Sequence, residues 1–378
     1  MSFYPADVIV DLAAIRANIA TLRQAAPSAQ VMAVVKADAY GHGLVPVSRA
    51  AVEGGAAWLG VAQLTDALTL RRAGITAPLL TWLYTPGAPL DRAVAAGIDL
   101  SVSAHWALEE VTRAAASSGT PARVHLKVDT GMGRGGAFPD AWEDLVAAAM
   151  RAEAEGTVRV VGVWSHLARA DEVGHPFITA QTEAFTHAVA VAERSGARLE
   201  VRHLANSAGT LTAPQTHFDL VRPGIATYGL TPAPDYRSSS EFGLTPAMRM
   251  EAEVMLVKHA PAGQGISYNH TYTTSGPGTL AVIPLGYADG IPRHASNAGP
   301  VQIAGRRARI AGRVCMDQFT VDLGPHGPVP RAGERAVLFG SGAEGEPTAQ
   351  DWAEAAGTIN YEIVTRIAAR IPRTYRNA

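Results

Sequence analysis

Leu12, Ile15, Ile19 and Leu22 recur at the spacing of one helical face behind Asp11, a residue suited to cap the first turn. The run Val31-Met32-Ala33-Val34-Val35 follows, and an apolar stretch of this length with both faces covered predicts a strand buried in a parallel sheet. The same unit returns through about residue 230. Strands are predicted near 31–35, 57–62, 79–83, 98–102, 123–128, 158–164, 199–204 and 218–222, with Ala-rich helical stretches such as 104–117, 139–155 and 177–195 between them. Eight alternations predict a (β/α)8 barrel of the TIM type, in the α/β class. A doubly wound open sheet is the alternative. It wants fewer units and a G-x-G-x-x-G turn after the first strand, which this chain lacks.

After Gly229 the texture changes. Residues Thr231 to Ser240 read as a polar, proline-containing linker, and beyond them short branched runs alternate with Gly/Pro turns. Strands are expected at 248–259, 279–284, 300–304, 307–322 and 335–339, with a helix near 348–356 and a second at 362–370. The expected division is a strand over residues 1–10 that packs with the C-terminal domain, the barrel over 11–240, and a mainly β domain over 241–378.

Composition narrows the function classes. The 378 residues are 47% hydrophobic and 17% charged with a net charge of −2, which favours a large core and gives no footprint for nucleic acid or an anionic membrane. The basic run Arg306, Arg307, Arg309 and Arg313 reads as a solvated hairpin face. Cys315 is the sole cysteine, and the stretch from Met1 to Asp7 lacks the basic and apolar regions of a secretory signal. A soluble, cytoplasmic protein with no metal site is the expectation.

Barrel active sites are built where strands end and βα loops begin. On the predicted strands those places hold Lys36, Arg134 in the loop Asp129-Thr130-Gly131-Met132-Gly133-Arg134, His166, Asn206 and Ser207, and then Arg222, Gly224 and Ile225. Alone, Lys36 reads equally as a desolvated Schiff-base amine or as a cation snorkelling from a strand end. The later residues supply a context for the first reading. The N–H groups of Gly224 and Ile225 with the Ser207 hydroxyl suit a phosphate. A phosphate site, a Schiff-base lysine and His166 together suggest pyridoxal phosphate. Arg222 beside its pyridine nitrogen would donate without accepting, leaving the ring unprotonated and favouring return of a proton to Cα.

Over essentially its whole length the chain resembles the alanine racemases, fold-type III pyridoxal phosphate enzymes. Val35-Lys36-Ala37-Asp38-Ala39-Tyr40-Gly41-His42-Gly43 is similar to their cofactor-lysine signature, and Lys127-Val128-Asp129-Thr130-Gly131-Met132-Gly133-Arg134 to their carboxylate-binding segment. Ala205-Asn206-Ser207, Val221-Arg222-Pro223-Gly224-Ile225 and Asn360-Tyr361-Glu362 match cofactor contacts. Ser267-Tyr268, Pro284 to Gly290 and Val314-Cys315-Met316-Asp317-Gln318 match in the second domain. The resemblance implies that Lys36 holds the cofactor and is one base, that Tyr40 helps hold the phosphate, and that Tyr361 joins the cofactor site. It further implies that Tyr268 of the partner subunit is the second base and that Arg134 and Met316 hold the substrate carboxylate. By the same resemblance Lys127 is carbamylated, and the assembly is a homodimer with shared sites that interconverts L- and D-alanine for peptidoglycan. Two other readings stay open: a decarboxylase of basic amino acids, expected to use an acid where this chain has Arg222, and a pyridoxal phosphate carrier, to which residues 241–378 would be surplus.

Overall fold

The computed structural model describes residues 4–378, so the first three positions of the strand expected over 1–10 lie outside the described residues. Strand β1 (Ala6–Asp11) stands apart from the eight that follow: β2 (Gln30–Val34), β3 (Trp58–Gln63), β4 (Leu79–Leu83), β5 (Asp99–Val102), β6 (Ala122–Lys127), β7 (Val158–Trp164), β8 (Val201–His203) and β9 (Leu220–Val221). These eight form one parallel sheet in the order β8-β7-β6-β5-β4-β3-β2-β9. Its edges meet. Asp219 N–H donates to the Arg202 carbonyl at 3.1 Å and Arg222 N–H to the Ala205 carbonyl at 2.9 Å, so the barrel is nearly closed. Each expected barrel strand lies within two residues of an observed one.

The local reasons are those read from the pattern. Asp11 accepts from Ala13 N–H at 2.9 Å and Ala14 N–H at 3.3 Å, capping the helix Leu12–Ala25. That helix buries Leu12, Ile15, Ile19 and Leu22 against the barrel wall. Inside the barrel Met32, Trp58, Leu80, Val201 and Leu220 form an apolar plug.

The second unit is a nine-stranded sheet in the order β11-β14-β17-β16-β15-β18-β10-β1-β19. It comprises β10 (Met248–Glu253), β11 (Leu256–Ala260), β14 (Gly278–Ile283), β15 (Pro300–Ile303), β16 (Arg306–Ala311), β17 (Phe319–Gly324), β18 (Arg335–Phe339) and β19 (Arg373–Arg376), with β1 paired between β10 and β19. A separate ribbon joins β12 (Gly265–Ile266) to β13 (Tyr272–Thr273).

Some boundaries differ from the sequence reading. The single strand expected over 307–322 is two antiparallel strands, β16 and β17, because Ile310, Val314, Phe319 and Val321 carry the apolar pattern straight across the intervening loop. The span 248–259 likewise divides into β10 and β11. The helix expected at 362–370 is Asn360–Thr365, ending before Ile371 and Pro372 lead into β19. The stretch 231–240 is not slack: Thr231 and Ala233 are buried, and Asn360 Nδ2 donates to the Thr231 carbonyl at 2.9 Å. Among the described residues no helix is long and apolar enough to cross a membrane, and no cluster of His, Cys, Asp or Glu is arranged to hold a metal ion.

Candidate active site

Lys36 leaves β2 on an unusual backbone. Ala37, Asp38, Ala39 and Tyr40 all have φ between 53° and 54°, a left-handed turn made without glycine. L-residues resist that hand by about 1–2 kcal/mol each, and such strain collects at functional sites. The turn is held from outside: the Asp38 carboxylate accepts from Leu44 N–H at 2.8 Å, and Arg373 Nε donates to the Gly41 carbonyl at 3.2 Å. Its result is that Lys36 and Tyr40 face the same space. Lys36 Nζ lies 5.9 Å from the centre of the Tyr40 ring.

That space is a cavity of about 560 Å³ at the barrel mouth. Lys36, Tyr40, Lys127, Arg134, His166, Asn206, Ser207, Arg222, Gly224, Ile225 and Tyr361 all line it, gathered from five strand ends and from the helix Asn360–Thr365 of the second unit. Its lining carries four cations and no carboxylate. Burial first, and Arg134 second, lower the Lys36 pKa; burial, with Arg222 and Arg134, brings Lys127 down to about 8. His166 is pressed far below the ordinary imidazole value by burial and then by Arg222, so it is neutral.

One corner is built for an anion. Ser207 Oγ accepts from Gly224 N–H at 2.8 Å and from Ala226 N–H at 3.3 Å, which leaves its own proton to donate. This differs from the sequence reading, in which Gly224 N–H itself reached the phosphate. Gly224 has another use: a Cβ there would overlap the Tyr40 hydroxyl, so glycine lets that hydroxyl lie against the backbone. Asn206 spends its Oδ1 on Gly209 N–H at 3.0 Å, capping the helix Ser207–Thr212. Arg222 is buried, and its Nη2 donates to the carbonyls of Ser165 at 2.6 Å and Leu204 at 3.1 Å, with His166 Nδ1 at 3.3 Å. Burial lowers its pKa to about 9, which still leaves a cation at neutral pH. Its Nε has no protein partner among the described residues while the side chain lines the cavity, so the arrangement fits a ring with an acceptor nitrogen and a phosphate tail.

Lys127 ends β6 with Nζ 4.3 Å from the centre of the Trp164 ring. Asp129 does not pair with it. The Asp129 carboxylate takes N–H groups from Gly131, Met132, Gly133 and Arg134 at 2.8–3.1 Å and thereby folds the loop that presents Arg134, an exposed side chain. Tyr268 and Met316 stand outside the cavity lining on the second unit, 68% and 54% exposed. Seven lining residues escaped the sequence reading, the largest of them Trp82 and Trp164, since a tryptophan in an apolar strand reads as core. The position of these two tryptophans at strand ends was the available signal.

Comparison with known proteins bears on this site. The description "Alanine racemase, N-terminal domain" matches residues 10–232, and "Alanine racemase, C-terminal domain" matches 247–375. An alanine racemase of Beutenbergia cavernae is 65% identical over 372 residues, covering 98% of each chain; one of Streptomyces coelicolor is 59% identical over 373 residues, covering 97% of this chain and 95% of that one. Among solved structures, alanine racemase from D-cycloserine-producing Streptomyces lavendulae superposes with a TM-score of 0.98 at 54% identity, covering 100% and 98% of the two chains. That of Bacillus anthracis with bound L-Ala-P gives 0.88 at 36%, covering 100% and 97%.

Proposed function

The chain belongs to the alanine racemase family of isomerases, and from that premise we propose that it interconverts L- and D-alanine with pyridoxal phosphate, using Lys36 and Tyr268 of the partner subunit as the two bases. The observation that carries this reading is the cavity around Lys36, four cations and no carboxylate, which matches a phosphate at one end and a substrate carboxylate at the other.

When bound, pyridoxal phosphate supplies an electron sink that acidifies the α C–H of an attached amino acid. Lys36 would hold the resting cofactor covalently and, once the substrate amine had displaced it, would be left as a free amine whose pKa burial and Arg134 lower. Tyr40, Ser207 and Ile225 hold the phosphate, Gly224 leaves room for Tyr40, and Asn206, His166 and Tyr361 complete the walls. Arg222 donates to the ring nitrogen and takes no proton from it, which keeps the sink modest and directs the site toward returning a proton to Cα. Arg134 and the Met316 N–H of the partner subunit grip the substrate carboxylate. Tyr268 of the partner subunit takes the proton from L-alanine on one face and Lys36 returns one on the other; D-alanine reverses the roles.

Lys127 is a cation beside Arg222 and Arg134, lifted only weakly by Asp129. Its depressed pKa provides the neutral amine that reacts with CO₂, and a carbamate there would give Arg134 an anionic partner. The exposure of Tyr268 and Met316 fits a homodimer in which residues 241–378 complete the site of a partner barrel formed by 11–240. A cytoplasmic setting accords with the single thiol, Cys315, and the family reading sends the D-alanine formed there to peptidoglycan.

Incubation with L-alanine in D₂O tests the reading. D-alanine carrying deuterium at Cα is expected. Absence of both with cofactor bound would leave a carrier, and CO₂ release from lysine, ornithine or arginine would make the protein a decarboxylase.

A further inference from the structure

Arg222 is the end of a buried chain of side chains that crosses the barrel interior. Its Nη1 donates to His203 Nδ1 at 3.1 Å, His203 Nε2 lies 2.9 Å from His125 Nδ1, and His125 Nε2 lies 3.0 Å from Asp99 Oδ2. Asp99, His125, His203 and Arg222 are each at most 4% exposed. The other Asp99 oxygen accepts from Arg123 Nε at 2.9 Å, and Arg123 is tied in turn to Glu200 at the opposite rim.

The proton positions follow from donor chemistry alone. A guanidinium has only donors, so His203 Nδ1 must be the bare acceptor and its hydrogen must sit on Nε2. His125 Nδ1 must then accept, which puts the His125 hydrogen on Nε2, aimed at an ionised Asp99. A doubly protonated His125 would donate from Nδ1 to His203 Nε2 and so move the His203 hydrogen to Nδ1, against the Arg222 N–H. The chain therefore has one direction, from Arg222 to Asp99, through two neutral imidazoles. Burial and then Arg222 hold His203 far below its ordinary pKa; burial would raise Asp99, yet its bonds to His125 and Arg123 bring it down.

A second feature is shaped to this chain. His125 on β6 and His203 on β8 are separated by β7, and the β7 residue beside His125 is Gly162. A Cβ at Gly162 would stand 2.5 Å from His125 Nδ1, in the space the bond to His203 needs.

We propose that Asp99 is a positioning residue for the reaction, fixing through His125 and His203 the donor polarity and orientation of Arg222. The functional part rests on the reading that Arg222 faces the cofactor ring. Asparagine at 99 can donate to His125 Nε2, which permits both imidazoles to reverse tautomer and sets a His203 N–H against Arg222.

Nitrogen-15 NMR of histidine side chains in the purified holoenzyme is the direct test. Both His125 and His203 are expected to carry their hydrogen on Nε2 alone at neutral pH; a hydrogen on Nδ1 of either would overturn the proposal without any variant being made. In Asp99→Asn the His203 tautomer should be lost and kcat should fall about 10–100-fold, the range for groups that orient a working residue from behind it, with KM for L-alanine little changed. Gly162→Ala should do the same by displacing His125. Reversed tautomers with unchanged kcat would also overturn it. A protein with the expected tautomers that neither binds pyridoxal phosphate nor racemises alanine would instead sink the functional reading above.

Discussion

A methyl group at position 224 would occupy the place of the Tyr40 hydroxyl, so one missing carbon decides whether the anion corner exists. Gly224→Ala should force Tyr40 aside at a cost of about 1–3 kcal/mol, the usual range for overpacking. Read as affinity this is roughly a 5–150-fold weaker hold on pyridoxal phosphate, measurable by titrating the stripped protein. At this scale the sequence was informative wherever a polar residue interrupts an apolar strand end: Lys36, Arg134, His166, Ser207 and Arg222 were singled out on position and line one cavity. It was silent where the wall is apolar, as at Trp82 and Trp164. Nor could spacing mark Asp99 and His203, because a polar residue within a short strand carries no sign of which face of a barrel wall it takes.

The left-handed turn at 37–40 is the element on which the site depends. Its strain was illegible in Ala-Asp-Ala-Tyr, a sequence with no glycine and a good right-handed former in alanine; only the fixed neighbours, Asp38 to Leu44 N–H and Arg373 to Gly41, impose the reversed hand. Ala37 is exposed, so Ala37→Gly should relieve the conformational cost without losing packing. After the entropy that glycine adds to the unfolded chain, a net gain of about 0.5–1 kcal/mol is expected in denaturant unfolding; a loss would mean that the turn is not strained. Regular elements read better, since branched apolar runs between helical faces located all eight barrel strands. Errors fell where a loop repeats the apolar period of its flanks, as between β16 and β17.

For the whole molecule the informative contrast lies between the cavity of the barrel and the exposed Tyr268 and Met316. Nothing in the periodicity of the chain pairs these two places; only the family resemblance did so. If each site borrows from its neighbour, inactive Lys36→Ala and Tyr268→Ala homodimers should regain up to about a quarter of the activity once mixed and exchanged, since a hybrid holds one intact site of two and hybrids form half of a statistical mixture. No recovery under demonstrated subunit exchange would separate the sites. The nine-stranded sheet carries a different consequence. In it β1 lies between β10 and β19, with Val8 opposite both Met250 and Arg373. A ribosome makes the first of these strands long before the other two. Throughout translation of the barrel β1 therefore waits with both hydrogen-bonding edges open, and it keeps one open until residue 373 emerges, which marks the nascent chain as a client for whatever shields unpaired strands in the cell.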